Sequence, residues 1–209
     1  MRRAILLFSM MMVMLLLGSG VALAGVFTGT DGPDTYWGPV DDDSVTGLGG
    51  DDFLVGDPTP YGPGGNDFMA GDDGDDRVYG ASGDDNVSGG QGDDHVSGSL
   101  GSDIVDGGDG NDNVSDGPPF DTGTDIAFGG AGDDLMDAYN DPPLTDTIYC
   151  GTGDDLVYTD GLDILVDCEA FILGPEPDPW WHGTWCASEV PSQPGKARLI
   201  ACIGLVAPG

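Results

Sequence analysis

The sequence predicts an all-β protein, a flattened parallel solenoid wound from nine-residue units. Three observations lead there. Gly supplies 38 of the 209 residues, and of the 38 acidic residues only Glu169, Glu176 and Glu189 are not Asp. Both abundant types disfavour helix, Gly through lost backbone entropy and Asp by hydrogen-bonding its own backbone. Finally, Asp recurs at a fixed spacing with an apolar residue two positions after it. Composition alone would place a chain of formal charge −33 among disordered segments. The spacing argues otherwise. The charge also sets nucleic acid aside, because phosphate binding needs clustered Lys and Arg.

Residues 1–24 read as a secretory signal peptide. Arg2 and Arg3 precede an apolar stretch, Ala4 to Leu17, broken only by Ser9. Gly18-Ser19-Gly20 ends it, and Ala22-Leu23-Ala24 has the small-x-small pattern of a cleavage site. An uncleaved anchor is the competing reading, but roughly 14 apolar residues fall short of the ~20 that span a bilayer. Cleavage after Ala24 leaves Arg77, Lys196 and Arg198 as the strong bases against all 38 acidic residues, a formal charge of −35. The expectation is a secreted, extracellular polyanion with no membrane span.

After a lead-in at 25–28, the repeat occupies residues 29–173. Gly80-Ala81-Ser82-Gly83-Asp84-Asp85-Asn86-Val87-Ser88 defines the frame, with Gly at places one and four, Asp at six and an apolar residue at eight. Six consecutive units run from Gly62 to Ser115 without an insertion. Others start at Gly29, Gly38 and Gly47 and, after short insertions, at Phe120, Gly129, Asp141, Cys150 and Thr159, the last being one residue short. Place four is Gly throughout except at Asp41 and Leu144. Place eight holds Tyr36, Val45, Leu54, Met69, Val78, Val87, Val96, Val105, Val114, Ala127, Met136, Ile148, Val157 and Leu165.

Places seven to nine then form a three-residue strand that points the place-eight side chain to one face. Places one to six form a turn in which Gly allows positive φ or close backbone approach. One unit carries the chain across and the next brings it back. Residues 18 apart therefore stack at about 4.8 Å, giving two parallel sheets around a thin apolar layer.

Stacking brings the place-six carboxylates of alternate units together, as with Asp76, Asp94 and Asp112. Bare carboxylates at that spacing repel, and ionisation would oppose folding. Carboxylates and turn carbonyls, without sulfur or imidazole, form the ligand set of a hard cation that accepts six to eight oxygens, which is Ca²⁺. Mg²⁺ fits less well because it demands a tight octahedron and keeps its waters. A merely acidic, solvated face would explain the charge but not an Asp fixed at one place in every unit. The expected metal ligands are Asp34, Asp43, Asp52, Asp67, Asp76, Asp85, Asp94, Asp103, Asp112, Asp125, Asp134, Asp146, Asp155 and Asp163.

Gly89-Gly90-Gln91-Gly92-Asp93-Asp94-His95-Val96-Ser97 and Gly107-Gly108-Asp109-Gly110-Asn111-Asp112-Asn113-Val114-Ser115 resemble the haemolysin-type (RTX) calcium-binding nonapeptide. The resemblance covers about residues 29–168. It implies a right-handed parallel β-roll in which place-six Asp side chains and turn carbonyls of successive same-side turns share each Ca²⁺. Two features depart from the family: an apparent cleaved N-terminal signal, and the lack of an attached toxin or protease domain.

Four cysteines in an exported chain read as disulfides, with three possible pairings. Cys150 and Cys168 are 18 residues apart, one full turn of the roll, and stacked positions lie inside the Cα–Cα range a disulfide accepts. They are expected to pair, leaving Cys186 with Cys202. A zinc site from Cys186, Cys202 and His182 matches no familiar spacing. Residues 174–209 change character, with Pro175, Pro177 and Pro179 followed by Trp180, Trp181 and Trp185. A small cap over the open end of the solenoid is the preferred reading. An aromatic platform for a glycan or protein is the alternative.

Catalytic patterns are missing from the sequence. It contains no HExxH and no GxSxG, and none of its three Glu residues closes an EF-hand loop. His95 sits at place seven, outside the apolar layer, and the Asp repeat accounts for the paired carboxylates. The expectation is a non-enzymatic, secreted calcium-binding roll with a structural or surface role, or else an adhesion protein built on that scaffold.

Overall fold

A computed structural model describes residues 24–59 and 61–173. The apolar leader up to residue 23, the tail at 174–209 with its expected cap, and the Cys186–Cys202 pairing lie outside the described residues. Sixteen strands follow one another without a helix among the described residues. They are β1 (Val26–Thr28), β2 (Thr35–Trp37), β3 (Ser44–Gly49), β4 (Phe53–Val55), β5 (Phe68–Asp73), β6 (Arg77–Ser82), β7 (Asn86–Gln91) and β8 (His95–Leu100). Then come β9 (Ile104–Asp109), β10 (Asn113–Ser115), β11 (Ile126–Ala131), β12 (Leu135–Ala138), β13 (Thr147–Thr152), β14 (Leu156–Thr159), β15 (Ile164–Val166) and β16 (Ala170–Leu173). Odd strands form one eight-stranded sheet and even strands the other. Every strand pair among the described residues runs parallel, in the register of the repeat: Val78 lies beside Val96, and Val87 beside Val105. The fold is an all-β parallel β-roll.

The core lies between the sheets and is one side chain deep. Val45, Leu54, Met69, Val78, Val87, Val96, Val105 and Val157 at place eight are wholly buried, and Tyr36 and Leu165 pack against this layer near its two ends. Place seven points outward, and Phe68 and Ile104 are exposed there. Burial of one such apolar side chain is worth about 1.5–3 kcal/mol, so no unit stabilises itself and stacking is obligatory.

Strand length differs from the sequence expectation. Most uninterrupted units form six-residue strands rather than three, because pairing resumes after place one: Tyr79 pairs with Ser97, then Ala81 with Ser99 and Ser82 with Leu100. Place one drops out of the ladder, and place two turns to positive φ, as at Ala81 (87°) and Ser99 (79°). The true turn is places four to six. Gly83 opens one such turn with φ 128°, a conformation that L side chains rarely adopt.

The insertions also sit one residue later than the sequence frame has them. Gly56 and Asp116 directly follow their strands and Ala138 ends β12, all in the column where Gly80 and Gly98 stand at place one. The extra residues come after them, all at the corner where the even sheet hands over to the odd one. Asp57 and Asp121 stand in for the interrupted strand there. Asp57 accepts from the N–H groups of Gly65 and Ser82, and Asp121 from those of Gly101 and Gly123.

Cys150 and Cys168 form a disulfide with Cα atoms 5.0 Å apart, as the 18-residue spacing implies. Cys150 belongs to the core, and the bridge ties the last odd-sheet turn to its neighbour.

Candidate metal centre

The place-six residues form two continuous ladders along the roll. One runs Asp34, Asp52, Asp76, Asp94, Asp112, Asp134, Asp155. The other runs Asp43, Asp67, Asp85, Asp103, Asp125, Asp146, Asp163. In each, the backbone N–H of one Asp donates to Oδ1 of the next, at 2.7–3.0 Å. The carbonyl of the same Asp accepts from place seven of the next same-side unit, as Asn86 N–H donates to Asp67 and Asn113 N–H to Asp94. Turn geometry therefore satisfies both backbone groups and one carboxylate oxygen.

The other oxygen is a different matter. Oδ2 of Asp52, Asp67, Asp76, Asp85, Asp94, Asp103, Asp112, Asp125, Asp134, Asp146 and Asp155 is buried without a hydrogen-bond partner. At three of the four ladder ends the protein supplies a donor instead. Thr30 donates to Asp34 through its N–H and hydroxyl, the Tyr36 hydroxyl donates to Asp43, and the Thr159 hydroxyl donates to Asp163. Asp34 and Asp163 are also only half-buried. Lone buried carboxylate oxygens are costly, and a row of them points to a partner outside the polypeptide.

The orphan oxygens of Asp52, Asp67, Asp76, Asp85, Asp94, Asp103, Asp112 and Asp134 crowd the spot where a Cβ would stand on the place-one glycine of their own unit, and at all of these but Gly98 a backbone carbonyl converges on the same spot. A Cβ built on Gly89 would fall 2.6 Å from the carbonyl oxygen of Gly107 and inside contact with the Asp94 carboxylate. The absence of a side chain at place one keeps this oxygen-lined recess open. The donor set is carboxylate and carbonyl oxygen with no nitrogen or sulfur, which suits Ca²⁺.

Without a cation these carboxyls resist ionisation. Burial pushes Asp103 up to about 8 and Asp85 and Asp94 to about 7, an effect opposed by the N–H each accepts and reinforced by neighbouring carboxylates. The same causes hold Asp67 and Asp125 at about 7, and Asp76, Asp112 and Asp155 at about 6. Burial raises Asp163 to about 6 as well, against the Thr159 hydroxyl, which lowers it.

Two features escaped the sequence reading. Place five forms an exposed ladder of opposite sense, in which Asp93 N–H donates to Asp75 Oδ1 and Asn111 N–H to Asp93 Oδ1. The recurrence of Asp and Asn at that place carries the signal. Asp116 is the second: it is buried, and its carboxylate lies beside those of Asp125 and Asp146. Counting nine from Gly107 lands on it.

A profile of the RTX calcium-binding nonapeptide repeat matches four stretches, residues 28–58, 61–96, 79–114 and 121–141, which together cover just over half of the chain. No curated protein matches it. The repeats of this family bind Ca²⁺, and the Asp-bearing turns from Asp34 to Asp134 lie within the matched stretches. From profile and architecture together, the chain belongs to the RTX calcium-binding nonapeptide-repeat family.

Proposed function

We propose that the protein is exported and acts outside the cell as a multi-site calcium-binding roll with a structural or surface role, folding as it binds. The metal is held by the fourteen place-six residues from Asp34 to Asp163, together with turn carbonyls. Each interior Asp contributes to the two turns it lies between. The observation that carries this is the row of buried, unpartnered Oδ2 atoms facing open place-one recesses. A cation between turns satisfies oxygens that no protein donor reaches, and it offsets the repulsion of the stacked carboxylates. Export rests on the basic, apolar and small-residue segments of residues 1–24. A binding role rather than catalysis is favoured because the repeat accounts for the clustered carboxylates.

Folding and binding are then one equilibrium. At this charge and with a core one side chain deep, the metal-free chain is expanded at neutral pH. Circular dichroism and small-angle scattering during a calcium titration check this, with ion counting on the same sample. Millimolar calcium produces β-sheet signal and compaction, a chelator reverses both, and magnesium at equal concentration does much less. A metal-free chain already compact and β-rich at neutral pH sinks the reading.

A further inference from the structure

The place-one column at the irregular corner runs Gly56, Gly80, Gly98, Asp116, Ala138, Thr159. Its members face the place-six carboxylates of the odd-sheet ladder. A Cβ on Gly80 or Gly98 would contact Asp85 or Asp103, and the Thr159 side chain hydrogen-bonds Asp163 Oδ2. A Thr can satisfy that oxygen because it donates a proton. An ionised Asp cannot.

Asp116 is 1% exposed, its Oδ1 accepts from the N–H of Gly117, its Oδ2 is buried with no N–H or hydroxyl donor, and its carboxyl lies within hydrogen-bond range of the Asp146 carboxyl when one of the two is protonated. Oδ2 of Asp125 and Oδ2 of Asp146 are buried and unpartnered too, and one carboxylate oxygen from each of the three residues lies within 4.8 Å of the others. Asp57 and Asp121, the other acidic residues buried at this corner outside the ladder, have both oxygens bound to backbone N–H groups. Theirs is a structural role. Asp116 has no such account.

We propose that Asp116 joins Asp125 and Asp146 of the odd-sheet ladder as the third carboxylate of one hard-cation position, its side chain entering a recess that Gly80 and Gly98 leave open in the preceding turns. It rests on the reading that the roll binds calcium, and it goes beyond it. A divalent ion here meets three negative charges on a scaffold fixed by two sheets, and ligand charge count and rigidity set calcium affinity. This is therefore the tightest ion in the protein. The competing arrangement is a proton shared among the three carboxyls, which holds the corner together without metal.

The test uses the full-length protein loaded with calcium and dialysed against a chelator series, with bound ions counted at each step. One ion per molecule outlasts the rest, released at a free calcium about tenfold or more lower. Asp116→Asn keeps the shape and Asp116→Gly restores the repeat glycine. At saturating calcium both variants retain the β-sheet signal, but the late ion leaves with the others. A wild-type profile with no late-released ion overturns the proposal, and this holds even if neither variant folds. So does a variant that keeps the late ion, since a shared proton then explains the cluster. A protein that binds no calcium overturns this and the general reading together, whereas calcium lost in a single step overturns this alone.

Discussion

The backbone N–H of Asp94 donates to Oδ1 of Asp112, 18 residues on and 2.8 Å away, while Oδ2 of Asp94 is buried and has no partner. Asp76 in turn donates its N–H to Oδ1 of Asp94 at 2.7 Å. Asp94 is thus engaged from both sides, and its second oxygen is left for a partner outside the polypeptide.

Asp94→Ala therefore disturbs two adjacent ions, whereas Asp34→Ala disturbs about one. Asp34 has a neighbour on one side only, and Thr30 already donates to its second oxygen. Bound calcium per folded molecule, measured at sub-saturating calcium, separates the two variants. Equal losses would contradict the stacking.

Acid partly replaces calcium. Burial raises Asp85 and Asp94 to about 7 and Asp103 to about 8, all from 3.8. A carboxyl whose pKa is higher folded than unfolded stabilises the fold fully below the unfolded value, and that contribution fades as pH rises through the folded value. The metal-free roll is thus most stable below about pH 4 and loses stability up to about pH 8. Calcium affinity changes the opposite way, rising across the same window as the carboxylates ionise. Circular dichroism of chelator-treated protein at pH 4 and pH 8 reads the effect, and identical spectra at the two would refute it.

Gly89→Ala costs about 1–3 kcal/mol through overpacking, because its Cβ meets the Gly107 carbonyl and the Asp94 carboxylate. It also narrows a calcium recess, so the calcium midpoint for folding moves upward. Gly32→Ala is the control: nothing lies within 4 Å of a Cβ there, and the midpoint stays put. Similar shifts in the two variants would remove the recess from the explanation.

The Cys150–Cys168 bridge ties β15, the last odd-sheet strand among the described residues, to the turn of β13. Peptide mapping without reduction recovers a Cys150–Cys168 fragment; a Cys150–Cys186 fragment or a free Cys150 thiol contradicts the pairing. Cys150→Ser together with Cys168→Ser raises amide exchange in β15 and β16 first, and leaves β7 and β8 protected.

Much of this was legible in the sequence for one physical reason: a solenoid makes contacts at a constant sequence separation. Asp at place six and an apolar residue at place eight predicted the register of Val78 with Val96, the buried layer, the Asp76–Asp94–Asp112 stack and the disulfide between Cys150 and Cys168. Each needs only the repeat length and the distance between adjacent strands.

Where the period breaks, the sequence loses its ruler. Whether Gly56 or Gly62 occupies place one depends on which residue contacts the Asp67 carboxylate, and only the folded corner decides that. Strand length was misjudged because Ala81 and Ser99 rejoin the ladder at positive φ, which composition does not announce. Asp116 looked like the first residue of an insertion. Tertiary structure placed it in the glycine column against Asp125 and Asp146, because burial and the direction of a carboxylate are set by neighbours a full turn away.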